Sequence, residues 1–312
     1  MPASDPAPAP DPAPASAPAP APASASAPAA AGGPTGAAAQ PADDGQRAHW
    51  DPAQYGRFAD HRSRPFFDLV DRIRVAAPSR VVDLGCGSGE LTATLAQRWP
   101  DATVTGIDSS AEMLEQAAGY AGPRLRFQLG DLVDYRPEPG TDVVVSNAAY
   151  QWVPGHDRIL AEIADAIPAG GALAVQVPGN FSAPSHRIIG ELVAEPRWQQ
   201  ATGGLRLRQD PVLEPEGYVR LLAGAGLSPD VWETSYQQVL AGPDAVLEWV
   251  KGTALRPVLE ALRGNESGSG EPGAQQAEFL AELAPRLRAA YPERDFGTVF
   301  AFRRIFLVGH RD

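Results

Sequence analysis

The sequence predicts a doubly wound α/β domain on a mostly parallel, seven-stranded sheet, and three observations indicate it. Short β-branched runs alternate with amphipathic helical patterns from Arg80 to Val177, and two longer β-rich runs follow. Such alternation is typical of a parallel sheet covered by helices on both faces. A glycine-rich turn directly follows the first run, and sheets of this kind bind ligands at the carboxyl ends of their strands.

The first five strands are short. They are predicted at Arg80–Leu84, Thr103–Ile107, Leu125–Leu129, Thr141–Ser146 and Ala172–Val177. Between the first two, Leu91, Leu95 and Trp99 recur at helical spacing. After the second, Ser109 and Glu112 have the spacing of a capping box, which predicts the start of the next helix.

Beyond Val177 the alternation stops and longer insertions begin. Helices are predicted at His186–Trp198, Glu216–Ala225 and Asp244–Arg263, and a flexible loop over 264–275. We expect the β-rich runs Val231–Leu240 and Thr298–Val308 to pair antiparallel and close the sheet. The insertions around these last strands, at about 180–225 and 242–292, predict a helical cap over the carboxyl edge.

The first 46 residues differ from the rest in composition. Proline and alanine alternate there almost without interruption, and such a stretch has neither apolar periodicity nor the features of an export signal. We therefore expect a disordered tail over 1–46 and one domain, including its cap elements, over 47–312.

Composition limits the partners and the compartment. A net charge of −12 argues against a protein that binds nucleic acid. No run reaches the roughly 18 apolar residues of a membrane helix. The single cysteine, Cys86, forms no intramolecular disulfide, which suits the cytoplasm. We expect a cytoplasmic monomer that binds neither membranes nor nucleic acid.

The most informative motif is VVDLGCGSG at Val81–Gly89, a strand that runs into a glycine-rich turn. Glycines let a backbone approach a ligand closely, and the following helix N-terminus favours an anionic group. A dinucleotide-binding GxGxxG pattern would need glycine at position 90, where Glu90 stands. The motif resembles the nucleoside-binding turn of class I S-adenosylmethionine-dependent methyltransferases. Its predicted cofactor-binding residues are Asp83, Gly85, Cys86, Gly87 and Gly89.

Two further acidic residues follow the next two strands. Asp108 ends the second strand, where a carboxylate can accept both ribose hydroxyls. Asp131 follows the third strand and can accept from the adenine amino group, with Met113 and Leu132 packed on the base. Alternatively, Asp108 caps the next helix and Asp131 forms a turn. The full set of further predicted cofactor contacts is Asp108, Ser109, Met113, Asp131, Leu132 and Asn147.

The segment SNAAYQW follows the fourth strand and is expected to face the transferred methyl group. Asn147 begins a segment that lacks both prolines of the Asn-Pro-Pro-Tyr signature of amino-group methyltransferases. Tyr150 and Trp152 are candidates for substrate contacts, although either aromatic ring can equally be a packing residue.

Several longer segments together resemble the trans-aconitate 2-methyltransferase family, over nearly everything from Trp50 to Asp312. They are HWDPAQYGRFADHRSRPFFDLV, VVDLGCGSGELT, GIDSSAEML, SNAAYQWVPGHDRIL, AVQVPGN and WVKGTALRPVLE. The resemblance implies S-adenosylmethionine as methyl donor and monomethyl esterification of a six-carbon tricarboxylate. The chain departs from the family pattern at Ala254, where glycine is expected, and in a Gly-Ser-rich insertion after Arg263.

This reaction implies little catalytic machinery. A carboxylate with a pKa of about 4 is ionised at neutral pH, so we expect no general base and no metal. Arginines are expected to hold the carboxylates that do not react, because a guanidinium matches a carboxylate bidentately. The candidates are Arg62, Arg64, Arg256 and either Arg303 or Arg304.

Among these arginines Arg256 is the favoured substrate ligand. Adjacent strand residues face opposite sides, so at most one of Arg303 and Arg304 is expected to reach the site, and Arg303 is preferred. For Arg62 and Arg304 a surface ion pair is the simpler interpretation. Arg64, with Tyr55, could instead hold the methionyl carboxylate of the cofactor.

Other interpretations remain open at this stage. His156 is expected to be a solvated residue at a helix start. The chain could methylate another small molecule, which would require a base for an unionised nucleophile. It could also be a non-catalytic, cofactor-binding regulator. A nicotinamide-dependent oxidoreductase is disfavoured by Glu90.

Overall fold

The computed structural model describes residues 63–207, 212–264 and 273–312. The predicted tail over 1–46, the opening segment with Tyr55 and Arg62, and residues 265–272 of the predicted 264–275 loop lie outside these residues.

A seven-stranded sheet organises the described chain. Its strands are β1 (Arg80–Leu84), β2 (Thr103–Asp108), β3 (Leu125–Leu129), β4 (Val143–Asn147), β5 (Ala172–Pro178), β6 (Ser228–Leu240) and β7 (Thr298–His310). The spatial order is β3-β2-β1-β4-β5-β7-β6. The first five strands run parallel, and β7 lies antiparallel between β5 and β6. The predicted doubly wound α/β fold and its antiparallel closing pair are confirmed.

Helices connect and cover these strands. They are α1 (Arg64–Val70), α2 (Glu90–Arg98), α3 (Ala111–Ala117), α4 (His156–Ala166), α5 (Pro184–Val193), α6 (Pro196–Ala201), α7 (Pro215–Gly224), α8 (Ala245–Lys251), α9 (Arg256–Gly264) and α10 (Ala274–Ala290).

Each face of the sheet has its own core. On one face α4 and α7 pack through Leu160, Ile163 and Leu222 against buried residues of β4, β5 and β7. On the other, α1 and α2 pack through residues such as Leu69 and Leu95. The alternation of side chains along a strand sends successive residues into these two cores.

A third core joins the later helices. Residues of α5, α6, α8, α9 and α10 pack together with Phe300 and Phe302 of β7. The residues of β7 before Arg304 pair only with β6, because β5 ends opposite Arg304 at Pro178. In the described residues no helix combines the length and apolarity needed to cross a bilayer.

Three predicted helix boundaries were wrong. The N-cap of α3 is Ser110, whose hydroxyl accepts from the Met113 amide, and not Ser109. The helix predicted over His186–Trp198 divides at Pro196, which has no amide hydrogen to continue the first helix. The helix predicted over Asp244–Arg263 also divides, and α8 ends at a Gly252 cap.

Candidate active site

The glycine-rich turn after β1 is held from β2. The amides of Gly85 and Cys86 both donate to the Ile107 carbonyl, at 2.8 and 3.1 Å. Gly85 has a positive φ of 76°, and a Cβ there would lie 2.4 Å from the Ala149 Cβ. A Cβ at Gly87, whose φ is 54°, would meet nothing within 4 Å. Gly85 is therefore required by packing, whereas Gly87 faces open space.

Asp83 is buried beneath this turn. It is 3% exposed, and one carboxylate oxygen accepts a 2.6 Å bond from the Thr92 hydroxyl of α2. Burial, with a smaller contribution from the negative charge of Asp108, raises the pKa of Asp83 to about 6. Burial and these two carboxylates also raise the pKa of the Cys86 thiol to about 12, so this cysteine is an unreactive packing residue.

Asp108 connects the turn to the next helix. One oxygen accepts from the Gly87 amide at 2.8 Å, and the other accepts from the Ser110 amide at 2.9 Å. The carboxylate thus fixes the glycine turn and also the start of α3. A carboxylate has about four lone-pair sites, so acceptor capacity remains for a ligand.

The predicted base-binding residues surround the next strand end. The Asp131 carboxylate accepts from the Val133 amide at 2.9 Å and remains exposed, the arrangement of a turn-forming aspartate. Leu132 is buried near Gly85 and Met113 is partly exposed on α3. The cofactor contacts predicted between positions 108 and 132 thus lie on β2, on α3 and in the loop after β3. These elements are side by side at one edge of the sheet.

The segment after β4 divides between core and surface. The Asn147 Oδ1 is buried without a hydrogen-bond partner among the described residues, and Ala148 has a positive φ of 56°. Tyr150, predicted to contact substrate, is fully buried in the core under α4. Its apolar contacts make it a packing residue. Trp152 is 60% exposed and remains a prediction.

The two favoured arginines are engaged elsewhere. Arg256 has a side chain 73% exposed and pairs with Glu260 one turn further along α9, at 2.9 Å. Arg303 pairs with Glu214 and with Glu233, each at 2.6 Å, and these bonds raise its pKa and lower that of Glu214. Both side chains form surface ion pairs.

Arg64 and Arg304 lie on the opposite face from Arg303, and Arg62 lies outside the described residues. Arg64 is largely exposed on α1, near Asp68, and its guanidinium carbon lies 5.0 Å from the Tyr236 ring centroid. Arg304 is only 8% exposed, so the surface ion pair expected for it is wrong. Its Nη1 donates to the Gln176 side-chain oxygen at 3.4 Å.

Sequence reasoning also missed Gln176 and misjudged His156. Gln176 is a fully buried polar residue within the apolar run of β5, and that interruption was the available signal. His156 was expected in solvent but is buried, with Nε2 2.8 Å from the Tyr218 hydroxyl of α7. Among the described residues, no group of three or more His, Cys, Asp or Glu side chains could hold a metal ion.

Comparisons with known proteins agree with this geometry. Residues 81–171 match a family model described as a methyltransferase domain. The chain is 50% identical over 269 residues to a trans-aconitate 2-methyltransferase from Streptomyces coelicolor, covering 84% of this chain and 86% of that relative. It is 50% identical over 261 residues to the protein of the same name from Rhodococcus jostii, covering 83% and 98%.

A solved structure is similar in fold. The YcgJ protein from Bacillus subtilis aligns with a TM-score of 0.50 at 15% identity, over 81% of this chain and 100% of that chain. At this identity the likeness concerns the fold alone.

Proposed function

Because the chain belongs to the trans-aconitate 2-methyltransferase family, we propose that it transfers a methyl group from S-adenosylmethionine to a carboxylate of trans-aconitate, forming the monomethyl ester. The observation that carries this proposal is the 50% identity over 269 residues. That alignment extends far beyond the methyltransferase core at 81–171 into the segments that follow β5.

The turn after β1 fits the cofactor. The open space at Gly87 leaves its backbone accessible, and Asp108 has lone pairs beyond its two backbone bonds. In this proposal Asp108 accepts the ribose hydroxyls and Asp131 accepts the adenine amino group. Met113 and Leu132 pack on the base. When bound, S-adenosylmethionine supplies a methyl group on a positively charged sulfur.

The chain's own task is to orient the acceptor and exclude water. A carboxylate is already ionised at neutral pH, so no residue needs to remove a proton before attack. Orientation requires donors that hold the carboxylates that do not react, since correct placement of reactants is a major source of rate enhancement. We retain Arg64, Trp152 and Asn147 as proposed contacts. Arg256, Arg303 and Tyr150 are not retained, because their side chains have other contacts.

A transfer assay tests the proposal. The full chain is incubated with methyl-labelled S-adenosylmethionine and, in separate reactions, with trans-aconitate, cis-aconitate, citrate or isocitrate. We expect label in a trans-aconitate monomethyl ester, identified by mass spectrometry. Absence of label in all four acids would refute the substrate assignment, whatever the fold.

We also propose that the chain acts as a cytoplasmic monomer and that α5, α6, α8, α9 and α10 form a cap over the bound substrate. The absence of other cysteines and the small, diffusible substrate support the first part. The core that these helices share with the start of β7 supports the second. Light scattering at several protein concentrations measures the oligomeric state, and a mass near 32.9 kDa is expected.

A further inference from the structure

Arg304 is a buried cation without an acidic partner among the described residues. Its side chain is 8% exposed, and its Nε has no hydrogen-bond partner there. The guanidinium donates to the Gln176 side-chain oxygen at 3.4 Å, and its carbon lies 4.3 Å from the Phe302 ring centroid. Burial lowers the pKa of Arg304 to about 10, which still leaves it charged at neutral pH. Buried charges in proteins are normally paired, so we expect Arg304 to bind an anion.

The neighbouring arginine shows the contrast. Arg303 faces the other side of β7 and is neutralised by Glu214 and Glu233. The two residues have the same charge and are adjacent on the same strand. The difference therefore lies in the neighbours on each face. On the Arg304 face, the Asp68 carboxylate accepts from the Tyr236 hydroxyl and lies near Arg64, and among the described residues no carboxylate forms an ion pair with Arg304.

Amide groups with unused hydrogen-bonding capacity lie beside Arg304. Gln176 is fully buried; its oxygen accepts from Arg304, and its Nε2 has no partner among the described residues. Gln176 is in register with Asn147 of β4, so these two side chains share one face. Arg304 is positively charged, and both Arg304 and Gln176 have unused hydrogen-bond donors. This combination matches a carboxylate, which accepts two such bonds at once.

The place of Arg304 in the sheet separates it from the cofactor turn. Arg304 lies opposite Pro178, the last residue of β5, at the carboxyl edge. β4 and β5 stand between β7 and β1, so about 14 Å separates the strand of Arg304 from the strand of Asp83. Asn147 and Gln176 fill the interval between the two.

We propose that Arg304, together with Gln176, binds a carboxylate of the acceptor that is not methylated and thereby selects for polycarboxylates. This inference rests on the proposed function, because it assumes that the acceptor is a tricarboxylate. The guanidinium holds one carboxylate at β7, and the acid extends along the row of Gln176 and Asn147 toward the cofactor turn.

Kinetics of Arg304→Gln test the proposal. We expect KM for trans-aconitate to rise about 100-fold, with KM for S-adenosylmethionine within about twofold of the unchanged chain. Arg304→Lys, which keeps the charge but not the fork, should give an intermediate KM. Gln176→Leu, a second variant that keeps Arg304, should raise KM about tenfold. The matched control is Arg72→Gln, an arginine also stacked on an aromatic ring but paired with Asp230; its KM should not change.

Three dicarboxylates identify which group Arg304 holds. Mesaconate, itaconate and cis-glutaconate each lack a different carboxylate of trans-aconitate, and their inhibition constants are measured with both chains. Arg304→Gln should weaken the binding of two of these acids as much as it weakens the binding of trans-aconitate. The inhibition constant of the third acid, which lacks the carboxylate bound by Arg304, should not change. Equal weakening of all three, or of none, would overturn the inference.

Two readouts separate this inference from the proposed function and from a structural role. Calorimetric titration with trans-aconitate, in the presence of S-adenosylhomocysteine, is independent of turnover. Binding that Arg304→Gln loses supports the site even if no methyl is transferred, and absent or equal binding refutes it. The variant should also unfold at the same or a higher temperature, because an unpaired buried charge is removed. A lower melting temperature with unchanged KM would show that another part of the chain pairs with Arg304.

Discussion

At the scale of single residues, Asp83 combines a structural cost with a proposed role at the cofactor. Its carboxylate is buried under the glycine turn and accepts a hydrogen bond from the Thr92 hydroxyl. A buried carboxylate that stays in a structure against its desolvation cost is typical of functional sites. Its pH behaviour is therefore a test of the site.

We predict that Asp83→Asn stabilises the fold while weakening cofactor binding. Burial raises the pKa from 3.8 to about 6, so the folded chain binds more protons than the unfolded chain between these values. Stability is therefore lost as the pH rises through this window. Above pH 6 the variant should gain up to about 3 kcal/mol in unfolding free energy, and below pH 4 it should gain nothing.

Denaturant unfolding between pH 4 and 8 measures this gain, and titration with S-adenosylhomocysteine measures an affinity loss that we expect to reach about tenfold. Asp142→Asn is the control: that carboxylate accepts the Ser79 and Arg80 amides outside the turn, so its loss should not stabilise the chain. Parallel pH profiles for the unchanged chain and Asp83→Asn would contradict the prediction.

At the scale of elements, the loop after β1 distinguishes glycines needed by packing from glycines that face a ligand. Gly87 and Gly140 both have positive φ, 54° and 80°, and a Cβ at either would meet nothing within 4 Å. Only Gly87 lies in the cofactor turn. The pair therefore separates backbone strain from ligand exclusion.

We predict that Gly87→Ala abolishes measurable cofactor binding while Gly140→Ala leaves it intact. Each substitution should cost about 1 kcal/mol of stability, because alanine is strained at positive φ. Calorimetric titration with S-adenosylhomocysteine gives the affinity, and thermal unfolding gives the stability. If both variants bind equally well, the turn is not the cofactor site.

The contact between α4 and α7 allows two buried tyrosine hydroxyls to be compared. The buried Tyr218 hydroxyl lies 2.8 Å from His156 Nε2 and accepts from the Leu213 amide at 3.3 Å. The buried Tyr150 hydroxyl has no hydrogen-bond partner in the described residues. The two tyrosines differ in hydrogen bonding rather than in burial.

We predict that Tyr218→Phe destabilises the chain by about 1–3 kcal/mol, because its two partners lose a buried bond. Tyr150→Phe should be neutral or stabilising, since it removes a buried hydroxyl without a partner. Urea unfolding of both variants measures the difference. If Tyr150→Phe is as unstable as Tyr218→Phe, the loss of stability does not come from the hydrogen bonds of Tyr218, and the prediction is wrong.

At the scale of the whole molecule, the residues proposed for the cofactor and for the acceptor all lie after residue 46. We therefore predict that a chain of residues 47–312 keeps kcat/KM for trans-aconitate within about twofold of the full chain, as expected for a Pro/Ala-rich spacer. Steady-state kinetics of both chains check this. A loss of tenfold or more would give the first 46 residues a part in the reaction.

The sequence by itself determined the part of the sheet that carries the proposed cofactor site. Asp83, Asp108 and Asp131 lie at or near the ends of β1, β2 and β3, so each acidic residue is placed by its own short segment. Local periodicity is sufficient there, because parallel strands bring their carboxyl ends to a common edge. The same reasoning gave the order of the strands. It misplaced helix boundaries set by a cap, a proline or a glycine, and it did not predict the helix α10.

Only the tertiary structure decided the arrangement of the residues that we propose bind the acceptor. Alternation along β7 predicted that Arg303 and Arg304 face opposite sides, but it did not tell which side holds the acids. Glu214 and Glu233 come from distant segments, and they reach Arg303 because β7 inserts antiparallel between β5 and β6. That insertion places Arg304 beside Gln176, 128 residues away in the chain. Charge pairing between remote segments depends on strand order and register, which local patterns do not encode.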